Sequence, residues 1–270
     1  MEKIISYYST FDEWGRLDRE PLEFKVNFHH IIENLPDNGH ILDNGAGPGK
    51  YAIELAKRGF QVTLTDLTPK LVEIAKEKAL ENDLLHQFAG FFTADARDLS
   101  QFSEGQFDAA LMLGPLYHLQ TVEARAKAVS ELYRVTKPGG IVFVAFMSKT
   151  RFLTTSIMFP DYWKPNHTVQ GLENFIKTGE FDHHDEGRFT GAYYYNIQDI
   201  TPFMESHGFK QEKLVGSGSI AGAMNKEQWE YWRQRGEDEF NKIMEIIFKE
   251  SENPYVLGTS PHLLYIGRKL

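Results

Sequence analysis

From residue 40 to about 147 the chain alternates short, nearly unbroken apolar runs with longer segments whose apolar residues recur every three or four positions. The apolar runs at 40–43, 61–66, 90–95, 107–113 and 141–146 predict strands, and the periodic segments at 50–58, 69–81 and 123–135 predict helices between them. The run at 107–113 is apolar almost throughout, as expected of a strand covered on both faces. Such alternation predicts an α/β fold, a doubly wound and mostly parallel sheet with helices on both sides. Ahead of it, residues up to about 35 predict helix, with Phe24, Phe28, Ile31 and Ile32 on one face and Pro36-Asp37-Asn38-Gly39 as the stop. Beyond 147 the rhythm breaks. Residues 150–191 carry Pro160, Pro165, several aromatics and no clean period, which predicts an inserted cap or a long ordered loop. A helix at 200–207, strands at 210–215 and 262–268, and a charged helical segment at 225–249 complete a seven-stranded expectation. The resulting partition is a helical lid (1–35), a core (36–149), an inserted cap (150–195) and a C-terminal part of the core (196–270) that carries a helical cap segment at 225–250.

The most informative chemistry sits where the first strand ends, at Asp43-Asn44-Gly45-Ala46-Gly47-Pro48-Gly49. Glycines at alternate positions between a strand and a helix let the backbone take positive φ and let a ligand lie against the main chain. The helix start beyond them offers unpaired N–H groups. A dinucleotide fingerprint counted from Gly45 would need its third glycine at Lys50, which weakens that reading. A phosphate-binding loop would need a hydroxyl after Lys50, where Tyr51 stands. Asp66 and Asp95 close the next two strands, at the carboxyl edge where doubly wound sheets bind ligands. Asp66 reads either as a ribose-binding carboxylate or as a cap for the following helix. Asp95 reads either as an adenine acceptor or as a solvated acid.

Composition narrows the partners. The 270 residues are 41% hydrophobic and 25% charged, ordinary values for a globular chain. The net charge of −9 argues against a broad nucleic-acid footprint and favours a small-molecule substrate. Cysteine is absent, so disulfides, thiolate nucleophiles and cysteine-ligated zinc are excluded. The N-terminus shows no targeting pattern and no apolar run reaches membrane-spanning length, so a cytoplasmic protein is expected.

In order and spacing, Asp43 to Gly49, Asp66, Asp95, Phe107-Asp108 and Leu132-Tyr133-Arg134-Val135-Thr136-Lys137-Pro138-Gly139-Gly140 resemble the successive motifs of the class I S-adenosylmethionine (SAM)-dependent methyltransferases. Leu113-Gly114-Pro115-Leu116-Tyr117-His118-Leu119 resembles one largely bacterial subgroup of them. Tyr7-Tyr8, Glu13-Trp14-Gly15-Arg16-Leu17 and the closing Leu257-Gly258-Thr259-Ser260-Pro261-His262-Leu263-Leu264 extend that weaker resemblance. The resemblance implies a Rossmann-like core with SAM as cofactor and S-adenosylhomocysteine as product. It further implies that Gly45, Ala46 and Gly47 contact the methionine part, with Asp43 holding its ammonium through water and the Leu113 carbonyl facing that group. Asp66, with Leu67 beside it, would take the ribose, and Asp95 with the Ala96 backbone the adenine. Lys137 to Gly140 would be a structural turn. Asn44 departs from the apolar residue many relatives carry.

Tyr117 and His118 follow the fourth strand, and His118 is the candidate general base at neutral pH. It reads equally as a packing histidine, because methyl transfer from a sulfonium is driven by the cofactor. Tyr7, Tyr8, Trp14 and Arg16 predict a lid, with Tyr8 or Arg16 reaching the cofactor carboxylate, or simple packing. His183-His184-Asp185-Glu186 is not expected to bind metal, since adjacent strand side chains point opposite ways and no third histidine has a ligand spacing. Phe152, Met158, Phe159, Tyr162 and Trp163 either wall an apolar pocket or form the cap's own core. Trp229 and Trp232 are expected on a buried helix face. The expected activity is methylation of a small acceptor at O, N or C. A SAM-binding sensor and a macromolecular methyltransferase are the alternatives.

Overall fold

The computed structural model describes residues 2–10, 14–15, 21–183 and 191–270. Glu13, Arg16 and Leu17 of the N-terminal cluster, and His184, Asp185 and Glu186, lie outside the described residues. The chain opens with α1 (Glu2–Thr10) and α2 (Pro21–Asn34), then alternates β1 (His40–Asn44), α3 (Lys50–Ala56), β2 (Gln61–Asp66), α4 (Pro69–Glu81), β3 (Phe88–Thr93) and β4 (Phe107–Met112). A short α5 (Pro115–His118) and α6 (Val122–Val135) lead into β5 (Thr136–Ser148). The cap comprises α7 (Lys149–Met158), α8 (Val169–Thr178), β6 (Glu180–Phe181) and β7 (Ala192–Tyr195). Then follow α9 (Ile197–Glu205), β8 (Phe209–Gly216), α10 (Lys226–Gln234), α11 (Glu237–Glu250), α12 (Pro254–Leu257) and β9 (His262–Lys269).

The sheet runs β3-β2-β1-β4-β5 in parallel and branches at β5. Along most of β5 the next neighbour is β9, antiparallel, which in turn pairs with β8. At the carboxyl end of β5, Met147 and Ser148 also pair with Tyr194 and Tyr195 of β7, which joins β6. The seven expected strands are therefore all present, and the β6–β7 hairpin raises the count to nine among the described residues.

Strand periodicity explains the two-faced core. In β4, Ala109 and Leu111 pack with α2 and α3 through Ile31, Ala52 and Leu55, while Ala110 and Met112 pack with α6 and α9 through Ala128, Leu132 and Ile200. Both faces are covered, which is why this strand is apolar throughout.

Three expectations need correction. Of the two readings of residues 150–191, the long loop is excluded, because α7 and α8 form there. The segment at 225–249 is two helices, broken at Arg235-Gly236, where Gly236 takes φ 98°. Lys137 to Gly140 is not a turn ahead of β5 but an irregularity inside it, because the pairing moves from Phe107↔Thr136 to Ala109↔Ile141.

Candidate functional site

The register Asp43↔Leu111 and Asn44↔Thr65 brings the carboxyl ends of β1, β2 and β4 side by side. Beyond β1 the chain folds over β2, with Gly45 N–H and Ala46 N–H both donating to the Thr65 carbonyl at 2.8 and 3.0 Å. Gly45 takes φ +74°, and a Cβ there would stand 2.1 Å from Pro115 Cγ. The tight turn thus requires glycine, and its contact with Pro115 locks the β1 loop to the start of α5. Gly49 caps α3 in the left-handed region, where a Cβ would press on Leu64 and Ala75.

Asp66 holds this turn from the next strand end. Its Oδ2 accepts the Gly47 N–H and its Oδ1 the Thr68 N–H, each at 2.8 Å. The two readings of Asp66 thus meet in one residue: it supports the start of α4, whose N-cap position is Thr68, and it lines the cavity beside the glycine turn.

Asp43 and Asn44 are buried beneath the turn, yet each keeps a polar atom without a partner: Asp43 Oδ2 and Asn44 Nδ2. Burial pushes the Asp43 carboxyl up to about 7; the Ala52 N–H pulls it back and the charge of Asp66 adds to the rise. Asn44 Oδ1 accepts from Thr65 Oγ1 at 3.0 Å. A cation or donor would satisfy the open Asp43 Oδ2 and an acceptor the open Asn44 Nδ2, and a sulfonium-bearing amino acid, with its ammonium and carboxylate, carries groups of both kinds.

Asp95 stands two residues beyond the end of β3 rather than at its last position. Its carboxylate is gripped by Arg97, with Nε at 3.0 and 3.1 Å and Nη2 at 2.5 Å, and accepts the Arg97 N–H at 2.9 Å. Partial burial would raise its pKa, but the Arg97 contacts outweigh that and hold the carboxyl below its usual range.

The opposite wall comes from α1 and α5. Tyr117 is buried, and His118 Nε2 lies 2.9 Å from the Tyr8 hydroxyl with the rings edge to face at 5.5 Å. α1 is seated on α4 by Lys70 Nζ donating to the Ser9 carbonyl at 2.7 Å. Lys50 and Lys78 both approach the Trp14 ring at 5.6 Å.

Every cofactor and catalytic candidate from the sequence, apart from Arg16, lines this one cavity: Asp43, Gly45, Ala46, Gly47, Asp66, Leu67, Asp95, Ala96, Leu113, Tyr8, Tyr117 and His118. Glu23, Ile4, Tyr51 and Arg97 line it too without having been candidates, as does Pro115 of the Leu113 to Leu119 motif. Arg97 carried a local signal, two residues from Asp95. Glu23 carried none; it reaches the cavity because α2 packs on the sheet, and its Oε2 lies 3.0 Å from His262 Nδ1 at the start of β9.

The cap aromatics divide. Phe152 stacks on Tyr194 at 4.1 Å and meets Phe175, Phe181 and Trp163 in a separate small core, whereas Met158, Phe159 and Tyr162 are exposed. None of these lines the cavity. Tyr193 instead receives Arg125 at 3.5 Å over its ring. Trp229 is half-buried near Phe240, and Trp232 lies against Tyr231, so α10 is less buried than its tryptophans suggest. His183 packs on Trp163 and Phe181. Among the described residues no helix is long and apolar enough to cross a membrane.

Residues 42–144 match a family described as a methyltransferase domain. The demethylmenaquinone methyltransferase of Leptospira interrogans is 31% identical over 148 residues, which are 52% of this chain and 55% of that protein. The UbiE ubiquinone/menaquinone biosynthesis C-methyltransferase of Zymomonas mobilis is 29% identical over 191 residues, covering 70% of this chain and 74% of that one. The chain thus spans about half the length of the first of these relatives. Among solved structures, a SAM-dependent methyltransferase from Methanosarcina mazei superposes with a TM-score of 0.62 at 19% identity, over 89% of this chain and 97% of that one.

Proposed function

Because the chain belongs to the class I SAM-dependent methyltransferases, we propose that it transfers a methyl group from SAM to an O, N or C atom of a small, partly aromatic or apolar acceptor. The observation that carries this reading is the single cavity whose one wall is the glycine turn with Asp43, Asp66 and Asp95, and whose other wall is Tyr117, His118 and Tyr8. SAM, when bound, supplies an electrophilic methyl on a sulfonium, so the protein's part is alignment, exclusion of water and, for some acceptors, removal of a proton. Asp66 offers an acceptor-only carboxylate for ribose hydroxyls, beside Leu67. Asp95 and Ala96 stand on the adenine side, and the Gly45 to Gly47 backbone and Leu113 on the methionine side. Asp43, once ionised, complements a cationic head group. Tyr8 is the described member of the lid that reaches the cavity, on the His118 side; of the two lid candidates for the cofactor carboxylate, Arg16 is proposed.

On the acceptor side, His118 is the candidate base, with the Tyr8 hydroxyl on its Nε2 to exchange the proton. Glu23 adds a polar group nearby. In this reading the acceptor lies between the SAM pocket and a cap made from residues 1–35, 150–195 and 220–255. The matched relatives named for menaquinone and ubiquinone methylation support an aromatic, apolar acceptor. The test is turnover of methyl-labelled SAM against a panel of quinone-precursor phenols, amines and small metabolites, with protein and RNA acceptors as controls. Label in a small molecule supports the proposal; label only in macromolecules, or binding without transfer, replaces it by one of the two alternatives. His118→Ala is expected to keep SAM affinity and lower turnover, and unchanged kinetics on the true acceptor would remove His118 from the mechanism.

A further inference from the structure

About two turns along α2 from the cavity-lining Glu23, a second group of polar side chains converges outside the cavity lining. His29 and His30 are adjacent on the helix and Glu33 follows one turn on; one donor atom from each falls within 4.8 Å of the others. His29 Nε2 lies 3.3 Å from Glu33 Oε1, and His30 Nδ1 lies 3.9 Å from Glu33 Oε2 and 3.8 Å from Glu252 Oε1. Glu252 comes from the turn after α11, where Lys213 of β8 also holds it at 2.8 Å. Phe248 stacks on the His29 ring at 4.1 Å and fixes its plane.

The protonation of His30 can be read from its partner. The Ser251 hydroxyl donates its one proton to the Phe248 carbonyl at 2.5 Å, so at 2.7 Å from His30 Nε2 it must accept. Nε2 therefore carries the ring proton and Nδ1 is the bare lone pair. That nitrogen is fully buried and makes no hydrogen bond, although the two carboxylates face it. Lys213 offsets the charge of Glu252, but neither it nor any other group among the described residues donates to this lone pair, which leaves it open to a ligand shared with Glu33 and Glu252. Burial, with the charges of His29 and Lys213, lowers the His30 pKa, while Glu252 and the Phe248 carbonyl oppose this.

We propose that His29 Nε2, His30 Nδ1, Glu33 and Glu252 form a binding site for a first-row divalent cation, zinc in the first instance, that ties α2 to the C-terminal segment. Imidazole and carboxylate together suit zinc, cobalt and their neighbours better than calcium or magnesium. Ligands about 2.0–2.1 Å from a tetrahedral ion lie roughly 3.4 Å apart, and the separations of 3.3, 3.8 and 3.9 Å close on such an ion with small side-chain shifts. Ser251 supplies the hydrogen bond to the non-ligating nitrogen that metal-bound histidines use to fix their tautomer. Glu33 and Glu252 are 50% and 41% exposed, which leaves a path for entry. The role is structural, joining the N-terminal helices to the segment that precedes β9.

The test uses the whole chain, stripped with chelator and titrated with cobalt(II) and zinc(II), reading cobalt absorption bands and calorimetric stoichiometry. One equivalent is expected to bind, with zinc displacing cobalt and raising the Tm. His30→Gln is expected to weaken binding at least tenfold. Ser251→Ala, which removes only the support of the tautomer, is expected to weaken it by about 10-fold or more. Absence of saturable binding overturns the site. So does equal affinity in the wild type and both variants, which would mean that only the exposed His29 and Glu33 attract metal. If His30→Gln fails to fold, Ser251→Ala and the exposed Glu33→Gln decide. SAM affinity is expected to be unchanged by Ser251→Ala, so this result stands apart from the methyltransferase reading.

Discussion

The cofactor wall and the cap are built on opposite plans. The wall is made of strand ends: its key groups are backbone N–H groups and short acids placed by the register of β1, β2 and β4. The cap is made of rings: Phe152, Phe175, Phe181 and Tyr194 meet from α7, α8, β6 and β7 and hold one another. The cap's aromatic core is its own, but it is fastened to the sheet where Tyr194 and Tyr195 of β7 pair with Met147 and Ser148 of β5. Under the proposed function, the cofactor would be recognised at the strand ends, and the cap's ring core would be stabilised apart from that wall.

The largest effect that would break this separation is in the cap. Phe152→Ala should cost about 3–5 kcal/mol of stability in a denaturant melt, as for other buried aromatics truncated in a core, while SAM affinity of the folded variant stays within about twofold. A parallel collapse of SAM binding would mean that the two regions are one. On the cofactor wall, Asp66→Asn removes the charge that accepts Gly47 and Thr68 N–H and should weaken SAM binding by about 1.5–3 kcal/mol by calorimetry.

Next in size is a pH effect with a defined sign. The Asp43 pKa is 3.8 when unperturbed and about 7 in the folded chain. Between these values the native state holds a proton that the unfolded state has lost, so this group lowers stability as pH rises from about 4 to 7. Cationic SAM favours the ionised form, so its affinity should rise about tenfold between pH 6 and 8. Asp43→Asn should flatten both profiles, and a wild-type profile without slope would remove Asp43 from cofactor recognition. The smallest effect is Tyr8→Phe, which removes the hydroxyl on His118 and should slow turnover by about 0.5–1.5 kcal/mol with SAM affinity unchanged. Equal loss of both would make Tyr8 part of the cofactor wall instead.

How much of this was legible in the chain follows the same division. The glycine turn, Asp66 and Asp95 could be read because parallel strands bind ligands at their carboxyl ends, so sequence position fixes spatial position. The boundaries of α4 and β2 followed from Pro69 and from the apolar run before Asp66. Glu23 could not be read, because its place at the cavity depends on how α2 docks on the sheet and on a contact with His262, some 240 residues away. The helices of the cap were hidden differently: α8 does carry a helical apolar period around the buried Phe175, but it is only ten residues long and follows Pro160 and Pro165, which read as loop. The break at Gly236 needed the observed positive φ to separate α10 from α11.

The central claim is that the cavity over the ends of β1, β2 and β4 is a SAM site held by Asp66. Calorimetric titration of SAM and S-adenosylhomocysteine into the whole chain at pH 8, for the wild type and for folded Asp66→Asn, tests it most directly. The account predicts one saturable site in the wild type, weakened at least about tenfold in the variant. A folded wild type that binds neither ligand, or a variant that binds them equally well, would contradict it.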